Sequence, residues 1–408
     1  MNDSSRSVHA AEPQPANSHK RQRDLTHRIF SSLDTVCLDA WNQVRSTSRG
    51  DIGMDPRLLR ALEATMSDVS QFWYIIMYDK AAEPVACAVL TTFPLDLAVI
   101  AGAGTQRLTN LLRRIFLSLL RVTVLFCGLP LSVGQKSLLI APAANPHDVI
   151  LLLDSIAQEI AARENARLII FKEFRKEDTD HLDTLMESGY RMGDSLDMHY
   201  FPYNFPSFAE YKASLRHPYR KIINRSRRKF EERGLHLVRY RDPQCIKAVY
   251  TRDVHQLYEA VFEKAEHKLE RLPRKFFIKL AQQFPGDISL TALYYQEQIV
   301  AFGWALSTGQ TYHLLYCGLD YAVNEQFDLY FNVMYAELDH GLREGVTDIK
   351  LGQTADTFKV QLGCKQQPLY FYIKGAGFLW DVCIKAVFSV LFPRRPLPPT
   401  YKVFKDKQ

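Results

Sequence analysis

The sequence predicts an α/β (α+β) protein built on two mixed, mostly antiparallel sheets flanked by helices. Three observations carry that expectation: closely spaced strands between Ser289 and Asp320, an amphipathic helix after them, and a similar element order in the first half. The strands are SLTALYY (289–295), IVAFGWALS (299–307) and TYHLLYCGLD (311–320), rich in β-branched and aromatic residues. Two short turns, QEQ and TGQ, join them, so they should pair as an antiparallel meander. From Phe327 to Arg343, Leu329, Val333, Ala336 and Leu342 are spaced for one buried face of a helix. Gly345 stops it, and VTDIKLG returns as a strand.

The first half reads in a matching order. FWYIIMYD (72–79) and VACAVLTT (85–92) form a hairpin across KAAEP, and a helix from Thr105 to Arg121 precedes the strand TVLFCGLPL. A helix from Pro146 to Arg163 leads to the strand RLIIFKEF, HLDTLMES is a short helix ended by Gly189, and DMHYFPY closes the half as a strand. GCKQQPLYFYIKG in the second half answers GYRMGDSLDMHYFPY in the first, so the architecture is duplicated although residue identity between the halves is poor. The expected divisions are a disordered tail over 1–24, a domain over 25–204, a second over 205–375, and an apolar, basic tail over 376–408.

At 408 residues the chain is comfortable for two domains. An apolar fraction of 47% with 24% charged residues belongs to a globular protein. The net charge of +6 suggests an anionic partner without singling out nucleic acid. Seven cysteines lie scattered with no CxxC and no metal-ligand spacing, which reads as reduced thiols and no metal. The N-terminal 24 residues lack the apolar core of a secretory signal, and no stretch reaches the roughly 20 apolar residues of a membrane span. The expected location is the cytoplasm, with the periphery of the inner membrane as a variant.

The strongest charge feature is KASLRHPYRKIINRSRRKFEERG (212–234), with nine Lys or Arg residues. Leu215, Tyr219, Ile222, Ile223 and Phe230 recur at helical spacing and Gly234 stops the run, so it is an amphipathic basic helix. It is either a solvated face or a seat for a phosphate-bearing ligand; Arg220, Lys221 and Arg227 on it, with Lys268 beyond it, are the substrate-binding candidates. GFLWDVCIKAVFSVLF, beyond Ala376, is apolar nearly all round, with Asp381, Lys385 and Ser389 as one thin polar stripe. Packing on its own domain and lying on a membrane surface are both open to it.

The order strand meander, helix, strand, helix is the layout of an acyl-CoA-dependent N-acyltransferase domain. The basic helix, FEKAEHKLERLPRKFF (262–277), YCGLDY and LGQTADTFKVQLGC (351–364) resemble the GNAT-type N-acyltransferases grouped as peptidoglycan biosynthesis or recognition proteins, which are similar to the Fem transferases. The resemblance covers roughly 72–375 and is carried by the part from Lys212 onward. It implies tandem GNAT-like domains and a transferase acting on an amine, such as a small molecule or cell-wall precursor. Acyl-CoA is the expected donor and aminoacyl-tRNA the alternative.

Such a reaction needs a base for the amine, donors for the oxyanion and a donor for the departing group. In acyltransferases of this layout the thioester lies where two central strands splay, and the pyrophosphate rests on amides opening the next helix. Here that region is CGLDYAVNEQFDLYF, which makes Tyr316, Gly318, Asn324 and Gln326 the cofactor-binding candidates. It lacks the usual Gly-rich phosphate loop and carries Glu325 and Asp328, acids unfavourable near a pyrophosphate unless turned away. Glu270 is a candidate base or a solvated helix-end residue. Gln353, Thr354 and Asp356 follow DIKLG at the strand's C-terminal end, where open sheets bind ligands; Gln353 and Asp356 are catalytic candidates, while Thr354 or Asp356 could instead cap the next helix. Lys359 either meets an anionic donor or forms a solvent ion pair. Tyr316 either protonates the leaving thiolate or is a buried strand tyrosine. His313 reads as a packed residue, and no histidine is spaced for a nucleophile triad. A catalytically silent module that binds an anionic cell-wall precursor or lipid through the basic helix and apolar tail is the reading outside enzymes.

Overall fold

A computed structural model describes residues 25–47, 52–96, 121–132, 134–265, 271–395 and 400–405. The tail expected over 1–24, the helix expected over 105–121 up to Arg121, and the candidates Lys268 and Glu270 lie outside the described residues.

The first half runs β1 (Thr26–Phe30), α1 (Leu38–Ser46), α2 (Pro56–Met66), β2 (Phe72–Tyr78), β3 (Pro84–Asp96), β4 (Arg121–Cys127), β5 (Leu138–Ile140), α3 (Pro146–Arg163), β6 (Leu168–Arg175), α4 (Lys176–Glu187) and β7 (Arg191–Asp194). The apolar run of β2 is buried on both faces. Phe72, Tyr74 and Ile76 pack with Trp41, Leu59 and Leu62, whereas Trp73, Ile75 and Met77 pack with Ile150, Leu153 and Ala157. Alternate side chains of one strand thus hold a helical layer on each side of the sheet. Asn145 starts α3 by accepting from the His147 amide at 3.1 Å, ahead of Pro146.

The second half continues with β8 (Met198–Phe201), α5 (Phe208–Ser214), α6 (His217–Glu232), β9 (His236–Tyr240), α7 (Pro243–Val249), α8 (Arg252–Lys264) and α9 (Arg274–Gln283). Then come the meander β10 (Ile288–Tyr295), β11 (Gln298–Thr308) and β12 (Thr311–Leu319), α10 (Asn324–Phe327) and α11 (Leu329–Arg343). The chain ends in β13 (Asp348–Gly352), α12 (Asp356–Gln361), β14 (Lys365–Gln367), β15 (Leu369–Gly375) and α13 (Phe378–Leu391).

The two sheets have corresponding strand orders, and each borrows one strand from the other half. The first runs β1-β2-β3-β4-β6-β15-β7, with β5 against β3; the second runs β9-β10-β11-β12-β13-β8-β14. Strand β15 sits between β6 and β7 (Ile373 opposite Ile170, Phe371 opposite Gly193). Reciprocally, β8 sits between β13 and β14 (Ile349 opposite Phe201, Gln366 opposite His199). The strand DMHYFPY, expected to close the first sheet, therefore belongs to the second, and a division at 204/205 does not follow the sheets. In each sheet one central pair is parallel, β4 with β6 and β12 with β13.

The halves also share a core. Phe276, Phe277 and Leu280 of α9 belong to one apolar cluster with Leu58, Leu59 and Leu62 of α2. At its edge the Arg57 guanidinium lies 4.2 Å from the Phe284 ring centre and 3.0 Å from the Asp287 carboxylate. With a strand exchanged in each direction, neither sheet can close its hydrogen-bond ladder alone. Residues 25–204 and 205–408 expressed separately should each fail to unfold cooperatively, and co-expression should restore one cooperative transition, as read by circular dichroism during urea denaturation.

Candidate active site

Strands β12 and β13 pair over only three positions, Thr311 with Asp348, Tyr312 with Ile349 and His313 with Lys350. Beyond His313 they part, because each carries an irregularity on its other side. In β12, Trp304 faces Tyr316 while Ala305 faces Leu314, which leaves Leu315 as an extra residue. In β13, Lys350 faces Tyr200 while Gly352 faces His199, which leaves Leu351 extra. A bulge bends its strand, and two on opposite flanks of a parallel pair open it. The result is a wedge of about 820 Å³ walled by Leu314 to Cys317 of β12, Leu351 and Gly352 of β13, and the chain from Gln353 to Lys359. Tyr258 and Val261 of α8 and Tyr330 and Met334 of α11 cover it, and Ser132, Leu196 and Arg395 rim it.

The corresponding opening in the first sheet is filled. Lys172 follows the parallel pairing of β6 with β4, and its ammonium donates to the Leu129 and Leu131 carbonyls at 3.1 and 2.9 Å. Its side chain runs so close to Gly128 that a Cβ there would meet Lys172 Cγ at 2.5 Å.

Lys359 stands in the second wedge in a different condition. It is 3% exposed, and its ammonium has no hydrogen bond or ion pair among the described residues. Burial pulls its pKa down to about 8, with Cys364, Cys317 and Asp356 pulling the other way. The expected solvent ion pair is thereby overturned. The left-handed Ala355 (φ 61°) turns the chain into α12, and no side chain caps that helix. Neither Thr354 nor Asp356 is the cap, which frees the Asp356 carboxylate to face the wedge. Asp356 Oδ1 lies 3.6 Å from His199 Nε2. Gln353 is buried and donates to the Leu196 carbonyl at 3.0 Å, tying the end of β13 to the segment before β8.

His199 is a residue that sequence reasoning missed. It is fully buried, with Nδ1 3.2 Å from the Gly352 carbonyl and Nε2 3.1 Å from the Gln366 amide nitrogen. Burial, followed by the Lys359 charge, pushes its pKa down to about 4, so the ring is neutral at pH 7. A neutral ring that donates from Nδ1 to the carbonyl accepts from Gln366 at Nε2. Asp197 and Arg395 were missed as well. Burial raises the Asp197 pKa, and Arg395 bonds to the Ser195 carbonyl. No spacing in the sequence marks these residues, because the exchanged strand and the C-terminal segment bring them in.

Several expected residues do other work. Tyr316 does line the wedge, but its ring packs edge-on against Tyr258 and Phe277, with centroids 5.9 and 5.5 Å away. Gly318 does not: a Cβ there would meet Phe302 at 2.2 Å and Leu257 at 2.9 Å, so it lets α8 cross β12. Asn324 accepts from the Tyr330 amide at 3.2 Å and so caps α11, while Gln326 is exposed on α10. Asp328 is turned away, accepting from Ser226 Oγ at 2.9 Å and Lys229 Nζ at 2.8 Å. This locks the basic helix α6 to the start of α11, where Asn332 also bonds to the Ser226 carbonyl at 3.2 Å. Arg220, Lys221 and Arg227 lie on α6, outside the described wall of the wedge, and the Arg227 guanidinium stacks 4.8 Å from the Phe208 ring centre. His313 is packed as expected, burial holding its pKa near 3.

Residues 218–360 match a family model described as an acetyltransferase (GNAT) domain. Among solved structures, the fold resembles FemX with a TM-score of 0.52 at 14% identity, over 85% of this chain and 96% of that one. It also resembles a tandem GNAT protein from the clavulanic acid biosynthesis pathway, with a TM-score of 0.50 at 10% identity, over 87% of this chain and 99% of that one. No curated protein matches the sequence. Residues 218–360 thus form a GNAT-type acyltransferase domain, and the chain as a whole shares the fold of FemX and of a tandem GNAT protein.

A CoA donor of the kind this fold generally binds fits these residues only in part. Main-chain groups of β12 beyond His313, lacking β13 as a ladder partner, suit a pantetheine arm. The pyrophosphate bed does not fit: α10 precedes the start of α11, Asn324 already takes the Tyr330 amide, and the Asp328 carboxylate lies beneath.

The buried Lys359 sets a stability test. Between pH 8 and 10.5 the unfolded chain holds a proton that the folded one has lost, so wild-type stability rises with pH there. Below about 8 the cost of the buried cation is fully present, on the order of 3 kcal/mol. Lys359→Met should therefore raise the urea midpoint at pH 7, and the gain should shrink as pH approaches 10.5.

Proposed function

We propose that the protein is an N-acyltransferase in which the wedge between β12 and β13 holds the donor's acyl carbonyl and Lys359 supplies the charge that meets the oxyanion. The observation that carries this reading is an uncompensated, buried ammonium facing an open wedge. A cation kept unpaired in a dry site costs stability, and its use comes when negative charge develops beside it.

The acceptor amine enters from the rim formed by Leu196 and Arg395. Its nitrogen attacks the acyl carbon, the bond from that carbon to the carrier breaks, and the nitrogen's proton passes to the Asp356 carboxylate. The leaving atom takes a proton from a donor lining the wedge, the Tyr316 hydroxyl or the Lys359 ammonium. His199 holds the end of β13 through the Gly352 carbonyl and so fixes the wall from which Asp356 projects.

The capped start of α11 favours an aminoacyl-tRNA over acyl-CoA as the donor. Its phosphates need no helix terminus, and α6 presents Lys221, Arg225 and Arg228 to solvent beside α10. The acyl bond is then an ester, and the leaving atom is a ribose oxygen.

Lys359→Met should lower kcat by about 10²–10³-fold with little change in KM, and Asp356→Asn by about 10²–10⁴-fold, in a steady-state transfer assay. Wild-type kcat should fall as pH passes through about 8 and the ammonium is lost. Binding of aminoacyl-tRNA should weaken by roughly 0.7–0.9 log units per phosphate contacted for each tenfold rise in salt. Turnover of acyl-CoA with a shallow salt dependence would overturn the tRNA reading and keep the transferase; unchanged rates in both variants would overturn the site itself.

A further inference from the structure

Helix α13 packs one face on the first sheet and leaves the other uncovered by any described residue. Ile384, with Trp380 and Phe388, faces Val124, Ile170 and Ile373. The outer face carries Phe378 (81% exposed), Leu379 (75%), Val382, Val387 and Val390, an apolar stripe along all 14 residues. Five large apolar side chains on one helix exceed the scattered exposure of ordinary surfaces. Gly375 fixes the orientation, since a Cβ there would lie 2.0 Å from the Asp381 nitrogen and prise the helix from its sheet.

The rim of this face is basic. Arg167 is exposed beside Ala376, at the N-terminal end of the helix, and Arg394 is exposed just beyond its C-terminal end. Along the flank, Lys374 comes near Gly189, where a Cβ would lie 4.0 Å from its Cε, and its ammonium lies 5.4 Å from the Tyr190 ring centre. The helix's acid, Asp381, is neutralised by Lys385 at 2.6 Å. An apolar stripe bordered by cations is the pattern of a helix lying in the plane of an anionic bilayer surface. Among the described residues, no helix is long and apolar enough to cross a membrane, so seating in the plane is the mode available to α13. A second copy is a poorer occupant, because pairing would bring two faces with exposed arginines at their ends together.

We infer that the outer face of α13 docks the protein on an anionic lipid surface. This rests on neither the donor nor the chemistry proposed for the wedge. The test is co-sedimentation of the full chain with vesicles of phosphatidylcholine, alone or mixed with phosphatidylglycerol. Wild type should pellet with the mixed vesicles, more weakly with the neutral ones, and less as salt rises. Leu379→Glu combined with Val382→Glu should cut binding at least about tenfold. Both side chains are exposed, so the thermal midpoint should be unchanged. Arg167→Ala with Arg394→Ala should remove the preference for the anionic vesicles. Failure of wild type to pellet, or full binding by the glutamate variant, would overturn the inference. So would a concentration-dependent dimer that the glutamate variant abolishes while vesicles bind neither protein.

Discussion

The site depends on the incomplete pairing of β12 with β13. Three paired positions hold the strands together at one end, and a bulge on each outer flank drives them apart at the other. A sheet opened in this way carries main-chain groups without ladder partners, which is tolerable only where something else can meet them. Gly352 shows how this end is stabilised: with φ at 83° it turns the end of β13, and its carbonyl is taken by His199. The wedge is therefore a consequence of backbone geometry first and of side chains second.

Strand exchange makes that geometry depend on the whole chain. Leu196 reaches the wedge, and His199 the Gly352 carbonyl at the end of β13, because β8, encoded in the first half, lies beside β13 in the second sheet. Arg395 reaches it because the chain beyond α13 returns across the Asp194–Ser195 corner. Since β15 completes the first sheet in the same manner, a disturbance of either sheet reaches the other through hydrogen-bond ladders as well as through the core shared by α2 and α9.

Much of this was legible in the sequence, for identifiable reasons. The meander 289–320, the helix on Leu329 and Val333, and the strand DIKLG follow from periodicity and turn residues, which are local. The partner of DMHYFPY was not legible, because β8 and β15 are both short apolar strands and alternation says nothing about which sheet receives them. Lys359 was picked out by position, yet its burial depends on packing from β12 and β8 that no spacing reveals. Asn324 and Gly318 were misread for a related reason. A residue in the right segment can be spent on a cap or a close helix crossing, and only three-dimensional contacts separate those uses from ligand binding.

The duplicated sheets provide an internal comparison that bears on function. Each has a parallel central pair, and each places a lysine near the point where that pairing ends. Lys172 lies across its opening and satisfies its ammonium on the Leu129 and Leu131 carbonyls, which turns the gap into packed interior. Lys359 approaches from α12 and finds no such acceptors among the described residues, so burial lowers its pKa toward 8. The same residue type thus acts as a plug in one sheet and remains an uncompensated charge in the other. Both arrangements satisfy the fold's geometry, but only the second leaves room for an incoming carbonyl and a cation to meet it. That difference is the reason we propose the chemistry for the second sheet, with the first supplying its borrowed strand.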